Sequence, residues 1–338
     1  MLKIASNQSN TKEKQEKEIH QIKSILNNFC SFNEIFEIND YLGSGAESKV
    51  YSIYSKKIKK HLALKYIINN SKHKKNINEL KITSKLKNKN IIDFKGYLNS
   101  KEDNSEFIIL ERAKYGNLRD FQKNIVKREN FSESLLSYFS YQILNGLYHC
   151  HQNKIAHMDI KPQNIVIDEY LNLKIIDFSV SLDYSNKKPN DLIQLPFRGT
   201  NFFMPLEVIN SNEITYKNLN KVDAYALGVL LFKMAYGYYP FNLKYGDENN
   251  YKIINQKINC EYEIKKDKNL SSYFIDFVSK LLNKDINKRM SIYEALRHPW
   301  IKGAQFLLDE KEKINNINLF FVKLMKDNIK EFNDYLGK

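Results

Sequence analysis

The stretch His157-Met158-Asp159-Ile160-Lys161-Pro162-Gln163-Asn164 sets a carboxylate, an ammonium and a carboxamide within eight residues. It lies between an apolar-periodic segment and a short apolar run, so it reads as a loop held at both ends. Such a loop can present Asp159 to a hydroxyl, Lys161 to a phosphate and Asn164 to a metal ion. A few residues on, Ile175-Ile176-Asp177-Phe178-Ser179 ends another apolar run with a second carboxylate. Two carboxylates and one amide, delivered by neighbouring strand ends, suit magnesium-assisted phosphoryl transfer. A lone His-x-Asp would read as surface noise; Asn164 and Asp177 at these spacings argue against that.

The bulk numbers bound the answer. At 338 residues the chain is long enough for two lobes, each with its own core. A formal charge of +14 raises the question of nucleic acid or anionic lipid as a partner. The lysines are scattered through helical and loop segments and no arginine-rich arm occurs, so neither nucleic acid nor a membrane is expected as partner. Cys30, Cys150 and Cys260 are far apart and odd in number, which gives neither a disulfide framework nor a metal-ligand spacing. No apolar run is long enough to span a membrane and the N-terminus lacks a signal-peptide core, so the expected location is intracellular, cytoplasmic or nuclear.

The opening stretch resembles the catalytic loop of eukaryotic protein kinases, H-R-D-x-x-x-x-N followed by D-F-G. The resemblance covers roughly residues 37–301. It implies an α+β, bilobal protein-kinase-like fold. The small lobe, 37–113, would be mainly antiparallel sheet plus one helix, and the large lobe, 114–301, mainly helical. Residues 1–36 then form an N-terminal extension, partly helical or disordered, and 302–338 a C-terminal amphipathic helical extension.

Within the extension, Lys12 to Asn28 carries Ile19, Ile22, Ile25 and Leu26 as a thin apolar stripe, which predicts a helix docked on the main domain. Ile35 to Ser55 reads as two strands around Gly43-Ser44-Gly45-Ala46-Glu47-Ser48-Lys49-Val50. Small residues there let backbone N–H groups approach phosphate oxygens. The turn resembles the kinase Gly-rich loop, with Ser48 where the third glycine usually stands. His61 to Ile68 is an apolar strand interrupted by Lys65, a costly placement unless the lysine is paired or reaches solvent. The resemblance pairs Lys65 with Glu79 on a helix expected over Asn76 to Asn88, where Thr83 replaces an apolar residue. Ile91 to Leu98 and Phe107 to Leu110 read as strands, followed by a hinge at Glu111-Arg112-Ala113 with Leu110 as gatekeeper. The nucleotide contacts implied are Leu42, Gly43, Ser44, Gly45, Val50, Ala63, Lys65, Leu110, Glu111, Ala113 and Val166.

In the larger part, Ser132 to Gln152 reads as a long helix with an N-cap serine and Glu133 in its first turn. Ile165–Ile167 and Leu173–Ile176 read as a hairpin. The polar segment Asp177 to Glu207 resembles an activation segment, with Ser179, Ser181 and Thr200 as hydroxyls of interest and Pro205-Leu206-Glu207 in place of A-P-E. The resemblance implies a buried Glu207–Arg289 ion pair and an anchoring role for Asp223, at the start of an apolar helix running to Tyr236. Helical segments are expected at 250–258, 271–283 and 291–297, and one or two amphipathic helices over 304–336, with stripes such as Ile314, Ile317, Phe321 and Leu324. That last segment docks on the large lobe or meets a regulatory partner.

The implied activity is serine/threonine protein kinase: transfer of the γ-phosphoryl group of ATP to a protein hydroxyl, with magnesium or manganese. Asp159 would orient the hydroxyl, Lys161 neutralise the moving phosphoryl group, Asn164 and Asp177 hold metal, and Lys65 with Glu79 fix the α/β-phosphates. Met158 stands where an arginine usually clamps a phosphorylated loop, which predicts activity independent of loop phosphorylation. Ser179 replaces the D-F-G glycine. Asn117, Gln163 and Lys233 occupy places where arginine-directed kinases carry acids, so protein substrates are expected not to be arginine-directed. The rival reading is a nucleotide-binding pseudokinase acting as scaffold or allosteric regulator. A small-molecule kinase is a third, opposed by the peptide-site character of Gly199-Thr200 to Glu207.

Overall fold

Short runs of Ile, Tyr, Phe and Leu, broken by Gly, Ser, Asn and Lys, build a five-stranded antiparallel sheet. The computed structural model describes residues 16–26, 32–45, 48–67, 73–99, 105–124, 131–188, 190–197, 199–210, 213–241 and 270–313. These fall into two compact units, divided at Lys85/Leu86, Ile91/Ile92 and Arg112/Ala113.

In the first unit the strands are β1 (Phe36–Ser44), β2 (Ser48–Ser55), β3 (Lys60–Ile67), β4 (Phe94–Asn99) and β5 (Glu106–Glu111), in the order β1-β2-β3-β5-β4. Helix α1 (16–26) covers one face of this sheet. Its Ile22 and Leu26, four residues apart and hence on one helix face, are buried with Tyr51, Ile53, Leu62, Leu64, Phe107 and Ile109. Glu18 fixes the docking by receiving Lys49 Nζ at 2.6 Å and the Tyr51 hydroxyl at 3.3 Å. Residues 12–15 and 27–28 of the expected helix lie outside the described residues. A helical turn, α2 (Phe32–Ile35), leads into β1.

Two expected boundaries are corrected here. The helix expected over Asn76 to Asn88 is α3 (His73–Lys85). It ends early because Asn88 turns the chain: its Oδ1 accepts the Asn90 N–H at 2.8 Å and its carbonyl the Ile91 N–H at 3.1 Å. The strand expected from Ile91 begins instead at Phe94, because Ile91 makes an isolated bridge to Ile175.

The second unit is mainly helical. Ser132 caps α5 (Glu133–Gln152), after α4 (Leu118–Asn124), by accepting the Leu135 N–H at 3.3 Å. Helix α7 (Asn220–Tyr236) is apolar around its circumference and buried on nearly all sides. Its Gly228 allows close approach of the next helix, α8 (Ser272–Leu281): a Cβ there would stand 2.9 Å from Leu281 Cβ. Glu133 ties three helices together, accepting from Ser271 N at 2.7 Å, from Ser271 Oγ, and from Trp300 Nε1 at 2.8 Å.

The segment expected over 291–297 is helical only at α9 (Ile292–Ala295), opened by a Ser291/Glu294 capping box and closed by a turn through Leu296. The final helix, α10 (Pro299–Lys313), starts before 304, with proline in its first turn where a missing N–H is harmless. The segment 250–258, the stripes from Ile314 onward, Cys30 and Cys260 lie outside the described residues. Short strand pairs complete the unit: β6 (Ile155–Ala156) with β9 (Leu182–Asp183), β7 (Ile165–Ile167) with β8 (Leu173–Ile175), and β10 (Leu192–Gln194) with β11 (Glu213–Thr215). The helical turn Leu206–Ile209 is α6. No helix among the described residues is long and apolar enough to cross a membrane.

His298 makes this core sensitive to acid. Burial holds its imidazole below the ordinary histidine value, although Asp276, 2.8 Å away, pulls the other way. A depressed folded pKa means that the unfolded chain binds the proton more readily. The contribution is whole above the unfolded value near 6.5 and is lost as pH falls through the folded one. Thermal unfolding between pH 7.5 and pH 5 is expected to show a decline that flattens in His298→Gln; parallel curves would contradict this.

Candidate active site

In the first unit, sheet alternation separates two sets of side chains. Val50 lies opposite Lys65 in the β2/β3 register, and Ala63 lies opposite Leu110 in the β3/β5 register. These four therefore share one face, while Tyr51, Leu62, Leu64 and Ile109 point to the face that α1 covers. These four implied nucleotide contacts thus stay clear of the docked helix. Lys65 Nζ meets Glu79 Oε1 at 2.5 Å, which resolves the cost of a lysine in an apolar strand. Glu79 is buried on α3, and Thr83, one turn on, is buried as well. Gly43 pairs with Val50, and the Gly45 N–H donates to the Ser48 carbonyl at 2.8 Å, closing the turn. A Cβ on Gly45 would stand 3.5 Å from Ser48 Oγ. Ser44 ends β1 and Leu42 is exposed; Glu111 donates its N–H to the Asp93 carbonyl at 3.0 Å. Residues 46 and 47 lie outside the described residues.

In the second unit, the loop 157–164 hangs from a buried carboxylate on α7. Asp223 accepts the backbone N–H groups of His157 at 2.9 Å and Met158 at 2.8 Å, and faces His151 Nε2 at 2.7 Å. Burial raises the Asp223 pKa, but the His151 hydrogen bond and the nearby imidazoles outweigh it, so the net shift is downward and the anchor stays charged. His157 accepts the Asp159 N–H on Nδ1 at 3.3 Å and donates from Nε2 to the Ile176 carbonyl at 3.0 Å, which assigns the Nε2–H tautomer. Its ring also stands edge-on to Phe178, with centroids 5.0 Å apart.

Asp159 is the convergence point. Its Oδ2 accepts from Lys161 Nζ at 2.6 Å and from Asn164 Nδ2 at 2.9 Å. Its Oδ1 accepts the Thr200 hydroxyl at 2.8 Å, and Thr200 Oγ1 in turn receives Lys161 Nζ at 2.8 Å. Gly199 makes this approach possible: its φ is +108°, and a Cβ there would lie 2.6 Å from the Met158 carbonyl. The chain brings together Asp159, Lys161, Asn164 and Thr200 from loops far apart in sequence.

Asp177 follows β8, and the Ile176 N–H donates to the Asn164 carbonyl at 3.0 Å. With its Nδ2 turned to Asp159, Asn164 keeps Oδ1 for a cation, and Asp177 adds a carboxylate. This hard, oxygen-only donor set fits magnesium, which draws its other ligands from phosphates and water. Among the described residues no cluster of three or more His, Cys, Asp or Glu could hold a metal. Met158 and Asp177 both adopt left-handed backbone, at φ +70° and +67°, strain of about 1–3 kcal/mol each held by the surrounding contacts. Val166 pairs with Lys174 across β7/β8 and bridges Asn117, and Ala113 accepts the Gly116 N–H at 3.4 Å.

The segment after Asp177 is more ordered than its polar sequence implies. Leu182 pairs with Ala156, and Ile193 with Ile214. Met158 is buried against Tyr184, Leu195, Met204 and Val208, so an apolar plug occupies this position. Ser181 is buried and donates to the His157 carbonyl at 3.0 Å, while Ser179 is half-buried. Glu207 and Arg289 form a bidentate buried pair at 2.5 and 3.2 Å, and the remaining guanidinium donors reach the Lys221, Asn283 and Lys284 carbonyls.

The family model described as protein kinase domain matches residues 36–301. The chain belongs to the protein kinase family. Curated relatives place this kinase domain on the serine/threonine side. It is 31% identical over 272 residues to an Aurora kinase of Schizosaccharomyces pombe, covering 79% of this chain and 71% of the relative. An Aurora kinase of Dictyostelium discoideum is also 31% identical over 79% of this chain and 66% of its own length. Myosin light chain kinase 3 of Rattus norvegicus is 30% identical over 83% of this chain but only 35% of its own length.

Sequence reasoning missed His151 behind Asp223 and Glu18 behind Lys49. Neither lies at a motif spacing; each acts through a contact 72 or 31 residues away. It also missed the side chains around Lys233: Arg119, Phe202 and Tyr239.

Proposed function

We propose that this kinase domain is catalytically active and transfers the γ-phosphoryl group of ATP to serine or threonine hydroxyls of proteins. The observation that carries the reading is the assembled Asp159–Lys161–Asn164–Thr200 network. An acceptor hydroxyl replacing Thr200 Oγ1 on Asp159 would find a carboxylate ready to orient it and take its proton. Lys161 sits on the same carboxylate and can follow charge onto the transferring group. Lys65, held by Glu79, is the group for the α/β-phosphates, and Asn164 and Asp177 are the metal donors. Bound magnesium would neutralise charge developing on the β- and γ-phosphate oxygens. ATP places the expected setting in the cytoplasm or nucleus, where Cys150 would remain the free buried thiol it is here.

The test is phosphate transfer from labelled ATP and magnesium to generic protein acceptors, with Asp177→Asn purified alongside. Transfer by wild type and none by the variant supports the reading. No transfer, with ATP still raising the thermal midpoint of wild type, overturns it in favour of a nucleotide-binding scaffold.

Activity is further expected not to require a phosphate on the activation segment. The Met158 plug offers no guanidinium to a phosphate, and the Ser181 hydroxyl is already committed to the His157 carbonyl. Enzyme shown by mass spectrometry to carry no phosphate should retain its rate, as should Ser179→Ala and Ser185→Ala; a requirement at either serine would contradict this. Thr200→Ala is expected to slow transfer because Lys161 Nζ loses the hydroxyl, 2.8 Å away, that holds it beside Asp159.

A further inference from the structure

Beside the Asp159 network lies a group of side chains that the chemistry above does not use. Phe202 stacks on Tyr239 with ring centroids 4.3 Å apart and planes 14° from parallel. Lys233 of α7 places its ammonium 3.6 Å from the centre of the Tyr239 ring. Burial lowers the Lys233 pKa and raises that of Tyr239; the charge of Arg119, exposed on α4, adds to the first shift and opposes the second. One cation thus rests on the aromatic shelf, and the charge of a second is felt there. Among the described residues neither has a carboxylate partner, and the neighbouring Asp120 is engaged by Asn117 Nδ2 at 2.7 Å as the cap of α4.

The shelf is tied to the reacting centre by the chain. Phe202 is two residues from Thr200, whose hydroxyl rests on Asp159, so the two Cα atoms lie within about 7 Å of each other. An extended substrate whose acceptor hydroxyl reached Asp159 could lay a side chain two to four positions away on these rings. A basic side chain there would meet like charge in a half-buried place; an acidic one would meet two cations that no carboxylate of the described residues neutralises, and an aromatic floor.

We propose that Arg119 and Lys233, on the Phe202–Tyr239 shelf, select protein substrates carrying an anionic side chain, carboxylate or phosphate, within four residues of the phosphoacceptor. This rests on the protein-kinase reading above and supplies the substrate class that reading leaves open.

The experiment compares kcat/KM for peptides with one serine and glutamate, phosphoserine, glutamine or arginine at each of four positions on either side. The expected result is a preference for glutamate or phosphoserine over glutamine on the order of 10-fold at one or two positions, with arginine disfavoured there. The two anionic arms tell a carboxylate from a phosphate source. Arg119→Gln and Lys233→Met should each shrink the glutamate-to-glutamine ratio; the first changes an exposed side chain and the second keeps the stem. A flat profile, or selection of arginine at these positions, overturns the inference.

Fluorescence anisotropy of the same peptides, labelled with fluorescein, decides the matter apart from catalysis. Tighter binding of the glutamate peptide, weakened by both variants, supports the shelf even if no peptide is phosphorylated, an outcome that would count against the kinase reading alone. Equal binding of glutamate and glutamine peptides, with or without transfer, overturns the shelf.

Discussion

Asp159→Ala is expected to slow phosphate transfer by about 10³-fold, within the 10²–10⁴ range for a positioned general base. The carboxylate is buried and is the shared acceptor for Lys161, Asn164 and Thr200. Its removal takes away the proton acceptor and releases three donors at once. The substitution leaves Lys65 and Glu79 themselves unchanged, so ATP should still raise the thermal midpoint of the variant. The decisive pattern is a fall in kcat with nucleotide stabilisation retained. A variant within tenfold of wild type would mean that Asp159 does not handle the acceptor proton.

Glu207→Ala should lower stability by about 3–5 kcal/mol, because it leaves a fully buried guanidinium without its counter-charge. For a helical unit of this size that corresponds to a fall in thermal midpoint of roughly 10 °C. Arg289 also packs on the Tyr225 ring, 4.9 Å from its centre, and donates to three carbonyls, so it cannot turn out to solvent to relieve the deficit. Arg289→Met alone should be comparably harmful, since it strands the Glu207 carboxylate. The double variant Glu207→Leu/Arg289→Met should recover part of the loss, as apolar replacement of both partners removes the unpaired charge. Additive losses in the double variant would show that the pair is not coupled.

What was legible in the sequence was what chemistry holds in short stretches. Asp159, Lys161 and Asn164 lie within one turn-sized run, and Asp177 follows a short strand; the residues proposed for phosphoryl transfer could be named before any contact was known. The Lys65–Glu79 and Glu207–Arg289 pairs followed from the family resemblance, and both close to hydrogen-bonding distance. Helix ends were less legible. The start of α3 falls in the charged run from His73, where no apolar stripe announces a helix, and its end depends on the side chain of Asn88. The apolar plug around Met158 could not be foreseen, because Tyr184, Leu195 and Met204 come from a stretch without periodicity and meet only when the chain folds over the loop. The convergence of Arg119 with Lys233 was hidden for the same reason: 114 positions separate them, and like charges at such a distance leave no local signature.

The docked helix at 16–26 has a practical consequence for anyone trimming this protein. The family match begins at residue 36, yet Ile22 and Leu26, which precede it, are part of the apolar interior of the sheet-bearing unit. A fragment cut at the family boundary would bare Tyr51, Ile53, Leu62 and Leu64 to water, a contiguous greasy surface of the kind that drives self-association. It would also strip Lys49, beside the turn at Gly43–Gly45, of the Glu18 that steadies it. Shortened versions that precipitate or work poorly would then report a missing lid on the sheet, and the remedy is to keep the chain from before residue 16.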